Sequence, residues 1–167
     1  LLRHVLQLGG DDLMARERFT IENTRLMFPN FSGAPDRFNQ TPKPNASIVV
    51  PPEMVQGLTD RGFRIRHLDA REGFEDDNGL DLLVVKASYG GRGDPKIVLL
   101  MAEDGAPPQE WSRRLLSSEE VGELDRLDID YVDITFTPYE FRGFTSAYID
   151  SMYVVCRPDR LMSKYGI

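Results

Sequence analysis

Residues 129–139, IDYVDITFTPY, carry the reading that decides the fold class. Val132, Ile134 and Phe136 alternate with Tyr131, Asp133, Thr135, Thr137 and Tyr139. Successive side chains of a strand point to opposite faces, so this spacing makes one apolar face and one polar, aromatic face. Its residues are mostly β-branched or aromatic, which suits a strand. The stretch EFRGFTS (140–146) then reads as a turn, and Ala147 to Cys156 as the strand that follows it.

Working outward, Phe19 to Phe28, Ser47 to Val50 and Phe63 to Leu68 read as further strands. Leu80 to Tyr89 and Pro95 to Ala102 flank GGRGD (90–94) and read as a β-hairpin. Two helices are expected. PPEMVQGLTDRG (51–62) has proline at its start, Glu53 at the positive dipole end and Gly62 at its stop. SSEEVGELDRL (117–127) opens with the capping-box pattern Ser117-x-x-Glu120. The expectation is a mainly β protein, an OB-like antiparallel barrel of about seven strands with two short helices, closed or partly closed.

The chain of 167 residues fits one domain. Residues 18–156 are expected to form the barrel, with 157–167 as a C-terminal tail. MARERFTIENTRL, from Met14, reads as an ordinary N-terminus. Residues 1–17 are therefore expected to be an extension, partly upstream of a natural start at Met14. The alternative for its first part is a short amphipathic helix ending at Gly9-Gly10. No apolar run approaches the roughly 20 residues a membrane helix needs.

Composition excludes several chemistries. Cys156 is the one cysteine, so no intrachain disulfide forms, which suits a reducing cytosol. His4 and His67 are the only histidines, which disfavours a Cys/His zinc site and a Ser–His or Cys–His pair. Asp128, Asp130 and Asp133 do not share one strand face, and they read as a solvated edge rather than a metal site. No P-loop or dinucleotide fingerprint is present. Arg92-Gly93-Asp94 reads as turn chemistry rather than an adhesion motif. Neither an enzyme nor a cofactor is expected.

Net charge is −7, which argues against a globally basic nucleic-acid coat. The charge is uneven, however. Residues 1–68 hold 9 Lys+Arg against 7 Asp+Glu, whereas residues 69–167 hold 11 against 20, so a local basic groove is compatible with an acidic chain.

Aromatics and cations interleave in three places. RLMFPNFSGAPDRFNQTPKP (25–44) holds Arg25, Phe28, Phe31, Arg37, Phe38 and Lys43, and its prolines forbid continuous regular structure. Lys86, Tyr89, Arg92 and Lys96 lie in and around the expected hairpin. Tyr139, Phe141, Arg142 and Phe144 lie at the last turn. Single-stranded nucleic acid is bound by such sets, since cations track phosphates and aromatic faces stack on bases. Phe28 is expected to be buried. The alternative for Phe31 or Phe38 is to tuck back and cap the core.

ENTRLMFPNFSG, GLTDRGFRIRHL, LLVVKASYGGRGDPKIVLL and LDIDYVDITFTPYEF with GFTSAYIDSMYVV, in this order, resemble single-stranded DNA-binding proteins of tailed phages. The resemblance runs from about Asn23 to Val155 and implies an OB-class fold without cofactor or catalytic residues. It implies binding with little sequence specificity during phage replication or recombination, in the cytoplasm of the bacterial host. The chain departs from the family pattern at Pro29 and Phe63, and in RPDRLMSKYGI (157–167), which is not an acidic tail. The nucleic-acid contacts expected are Arg25, Phe31, Arg37, Phe38, Lys43, Lys86, Tyr89, Arg92, Lys96, Tyr139, Phe141 and Arg142. Replication or recombination proteins and a second copy of the chain are further candidate partners. The competing reading is a phage β-barrel interaction or structural protein that binds no nucleic acid.

Overall fold

The expected 129–139 strand forms, and its apolar residues lie where the alternation puts them. In a computed structural model of the chain, residues 2–8, 15–70, 79–91 and 93–157 are described. Met14, Arg92 and the tail beyond Arg157 lie outside the described residues. Ten strands are present among those described: β1 (Leu2–Leu8), β2 (Ala15–Thr24), β3 (Leu26–Asn30), β4 (Asn45–Val50), β5 (Arg66–Leu68), β6 (Leu80–Lys86), β7 (Lys96–Met101), β8 (Ser112–Leu116), β9 (Ile129–Phe141) and β10 (Phe144–Cys156). Helix α1 spans Pro52–Arg61, and a 3-10 helix spans Val121–Arg126.

The ladder runs β1-β2-β9-β10-β6-β4-β3, with β5 on β6 and with β7 joining β10 to β8. It is open, because its end strands β1 and β3 do not pair with each other. Only Arg25 separates β2 from β3, yet β2 pairs with β9 and β3 pairs with β4. The crossing is fixed by the Val49 N–H, which donates to the Arg25 carbonyl at 3.1 Å, and by the Thr24 hydroxyl, which donates to the Val49 carbonyl.

One expectation is overturned outright: Leu80–Tyr89 and Pro95–Ala102 are not a hairpin. Both β6 and β7 pair with β10 in parallel, β6 at Ala147–Tyr148 and β7 at Ser151–Cys156. They therefore point the same way, whereas the arms of a hairpin must point in opposite directions. Strand β10 is 13 residues long, enough for β6 and β7 to share one of its edges in series. Further corrections follow. Phe63–Leu68 is a strand only over Arg66–Leu68, and the 117–127 helix is shorter and of the 3-10 type. Residues 2–8 form β1 against β2 rather than a helix.

Where β9 and β10 meet, the turn is tight. Phe141 pairs with Phe144, leaving Arg142 and Gly143 as a two-residue loop with φ of 51° and 82°. Two successive positive φ values define the type I′ turn, whose twist matches that of the strands it joins.

The core faces of β2, β4, β6, β9 and β10 converge. Val132, Ile134 and Phe136 are buried against Phe19, Ile21, Ile48, Val85, Ile149 and Met152. Helix α1 inserts Met54 and Leu58 into the same core. It ends in a Schellman arrangement, with the Phe63 N–H donating to the Leu58 carbonyl and the Gly62 N–H to that of Thr59. This stop drives Phe63 inward, edge-on to Phe19 at 5.3 Å and to Phe136 at 5.5 Å between ring centres. Such pairs add roughly 0.5–1.5 kcal/mol beyond burial.

The loop after β3 begins from a buried anchor. Phe31 is 1% exposed, which corrects its expected role as a stacking platform. Its N–H donates to Asp125 Oδ1 at 2.7 Å, and the Ser32 N–H donates to Asp125 Oδ2 at 3.0 Å. Asp125 lies on the 3-10 helix, so the helix holds the loop by its backbone while Phe31 fills the core beneath. Phe28, expected to be buried, is instead 56% exposed. A bulge between Met27 and Asn30 with a Phe28 φ of 52° turns its ring outward. Phe31→Ala should therefore cost about 3–5 kcal/mol of stability through lost burial and a cavity. Phe28→Ala should cost far less. Denaturant unfolding of both variants checks the contrast, and equal stabilities would contradict it.

Candidate nucleic-acid interface

Residues paired across a ladder share a face of the sheet. Thr137 pairs with Tyr148, Tyr148 with Lys86, Lys86 with Asn45 and Asn45 with Asn30. These five form one row across β9, β10, β6, β4 and β3. Their neighbours along the strands, Phe136, Ala147, Val85 and Ala46, are buried, so the row lies on the outer side. Tyr139 and Ser146 pair in a row toward the hairpin tip on the same side.

A groove of about 730 Å³ opens beside this row. Its walls include Lys43, Ser88, Gly91, Gly93, Tyr139 and Tyr148. Lys43 Nζ stands 5.0 Å from the centre of the Tyr148 ring and donates to Ser88 Oγ at 3.3 Å. Tyr148 is edge-on to Tyr139 at 5.7 Å. Lys43, from the loop after β3, thus meets Tyr148 of the β9–β10 pair and Ser88 after β6 in one place.

The groove also holds Glu17, Asp94 and Asp150, so the pairing of its charges matters. Arg61 is bound to Glu17 at 2.6 Å and to Glu140 at 2.7 Å. The hydrogen bond to Glu17, then that to Glu140, holds its guanidinium above its usual range. Arg18 pairs with Asp150 at 3.3 Å. Among the described residues, no ion pair engages Lys43, Lys86, Arg64 or Arg66, so these cations are available to an anion.

The expected contacts divide accordingly. Lys43 and Tyr139 line the groove, and Lys86 lies in the row beside it, paired with Tyr148. Phe141 and Arg142 sit at the hairpin tip, with the Arg142 guanidinium 5.1 Å from the Phe141 ring centre. Arg37 and Phe38 project from the loop after β3, and Phe38 is 91% exposed. Its position is defined by Asp36 Oδ1, which accepts from the Phe38 N–H at 2.8 Å and the Asn39 N–H at 2.7 Å.

Tyr89 is turned toward the core, its hydroxyl oxygen buried, and burial pushes its pKa up, aided by Asp94. That makes it a poor stacking platform. Lys96 lies along β7 near the Tyr153 ring, and Arg25 lies at the β2–β3 joint; neither lines the groove.

A family model covers almost the whole chain. The model described as "Putative phage ssDNA-binding domain" matches residues 11–167. The chain belongs to this phage single-stranded DNA-binding family. Single-stranded DNA is therefore its partner. Among solved structures it is similar to the "Single-stranded DNA-binding protein from bacteriophage Enc34, C-terminal truncation", at 12% identity and TM-score 0.48, covering 94% of this chain and 97% of that one. It is also similar to the "Single-stranded DNA-binding protein from bacteriophage Enc34", at 14% identity and TM-score 0.47, covering 94% and 90%. No curated protein matches the chain.

Some members of this phage single-stranded DNA-binding protein's outer face escaped the sequence reading. Tyr148 was missed because its place beside Lys86 depends on a parallel pairing between distant strands. Arg64 was missed although its alternation with Arg66 is visible; its guanidinium lies 3.9 Å from the Phe144 ring centre. Phe38→Ala should weaken binding to oligo-dT by about 1–3 kcal/mol, the range for one lost base stack. Lys43→Ala should lower the salt slope of binding by about one unit. Neither should shift the melting temperature appreciably. Fluorescence anisotropy and thermal melts check both variants.

Proposed function

We propose that the protein is a largely base-nonspecific single-stranded DNA binder whose ligand lies over the row Thr137–Tyr148–Lys86–Asn45 and the adjoining groove. The observation that carries this is the convergence of Lys43, Tyr148 and Tyr139 from separate elements on one face. Aromatic faces there stack on bases, and stacking uses a surface that every base has. Lys43, Lys86, Arg37 and Arg142 contact phosphates. Phe38 and Phe141 add stacking from the loop and the hairpin tip.

The architecture we assign is a partly open OB-type barrel. The support is the antiparallel set β3-β4-β6, the parallel pairing of β6 with β10, and the one-residue joint that sends β2 to β9 and β3 to β4, far apart in the ladder. OB folds bind oligonucleotides on the face of their second and third strands and on the loops beside it, which here are the loop after β3 and the β9–β10 turn. Family membership supports a role in phage DNA replication or recombination within the host cytoplasm. Among the described residues, no helix is long and apolar enough to cross a membrane.

Titration of labelled oligo-dT and of a duplex of equal length, each at several salt concentrations, tests the reading. Single strands should bind more tightly than duplex, with little difference between oligo-dT and mixed sequences. Affinity should fall as salt rises, because each neutralised phosphate releases counterions. Equal affinity for duplex and single strand, or salt-independent binding, would contradict it.

A further inference from the structure

A second groove, of about 430 Å³, lies on the same outer side, further along β6. Phe28, Ser47, Arg64, Arg66, Leu82 and Val84 line it. The register places it: Val84 pairs with Ser47 and Leu82 with Arg66, whereas Lys86 pairs with Asn45 in the row already described. From Lys86 to Leu82 the strand rises roughly 13 Å, at about 3.3 Å per residue.

Three features mark this groove as a binding surface. Its floor is apolar, with Val84 exposed on a central strand of the sheet. Two arginines stand at its rim with no ion-pair partner among the described residues. The third feature is Phe28, a bulky residue held in the left-handed region at φ 52° with its ring in solvent. That conformation is uncommon for any residue other than glycine, and burial of the ring does not offset its cost. Strain of this kind persists where the outward ring is useful.

We propose that the second groove is a further base-stacking subsite, in which Phe28 stacks on a base over Val84 and Leu82 while Arg64 and Arg66 hold the flanking phosphates. The bound strand continues into it from the first groove. Arg64 is the bridge, since its guanidinium lies on the Phe144 ring at the β9–β10 tip and also lines the second groove. The chemistry matches the ligand: flat apolar faces for bases and unpaired guanidinium groups for phosphate. This inference rests on the single-stranded DNA reading and deepens it by assigning a path.

Anisotropy titrations with oligo-dT of increasing length, from roughly 4 to 16 nucleotides, the span of sites found per OB fold, test the path. The parent, Phe28→Gly, Phe28→Tyr and Arg66→Ala are compared. Phe28→Gly and Arg66→Ala should match the parent on the shortest oligonucleotide that binds. On the longest they should be weaker, by roughly 5- to 150-fold for Phe28→Gly, the effect of one lost stack. Phe28→Tyr keeps an aromatic face and should bind as the parent does at every length. Because glycine adopts positive φ freely, Phe28→Gly should melt at or above the parent's temperature.

Parent-like binding of Phe28→Gly and Arg66→Ala at every length would overturn the subsite and leave the single-stranded DNA reading intact. A sharp fall in the melting temperature of Phe28→Gly would make Phe28 a structural residue and also overturn it. A parent that binds no oligo-dT at any length would overturn both readings.

Discussion

The structure depends on the two edges of β10. One edge pairs antiparallel with β9 for nearly its whole length, and the other carries β6 and then β7, both parallel. A bulge between Ile149 and Ser151 falls where the parallel partner changes from β6 to β7. On its N-terminal side Ala147 and Ile149 face the core; on its C-terminal side Met152 and Val154 do so. The extra residue resets side-chain parity, so one strand buries an apolar face against two different neighbours. The same arrangement sets Tyr148 beside Lys86, and Ser88, Gly91, Gly93 and Asp94 form a wall of the groove.

Charge bookkeeping explains how an acidic chain serves an anionic ligand. Arg18, Arg61, Arg114 and Arg157 are each held by carboxylates. Among the described residues, Lys86 on β6, Arg66 on β5, Arg64 before it, and Arg37 and Lys43 on the loop after β3 have no such partner, although Lys96 on β7, Arg113 on β8 and Arg126 on the 3-10 helix have none either. Net charge governs long-range attraction, but each contact is local and depends on cations free to meet a phosphate. Apolar burial is segregated as well. Trp111 packs with Ala102 and Val155 in a small separate cluster beside β7 and β8, away from the residues that line either groove.

Legibility in the sequence followed the range of the interaction. The β9 strand, α1 with its Gly62 stop and the β9–β10 turn were readable, because alternation, capping and turn chemistry act within a few residues. The β6–β7 relation was not, since GGRGD between two apolar runs looks the same whether the strands return or continue in parallel. Phe28 and Phe31 were exchanged for a related reason. Local spacing gave no sign that a bulge would turn Phe28 out, or that Asp125, far along the chain, would draw the backbone of Phe31 in. Phe38 stays on the surface, because prolines and an Asp36 turn, both local devices, hold its loop out. The aromatic and basic residue types of the site were visible; their assembly on one face came from long-range register.

The central claim is that one outer face, from the loop after β3 across β6 to the β9–β10 tip, receives the strand. Amide hydrogen exchange of the whole protein, with and without saturating oligo-dT, tests it most directly. The account expects added protection in residues 31–45, 84–91 and 137–148, with β7 and β8 unchanged. Protection confined to β7 and β8, or none on the β6–β10 face, would contradict it.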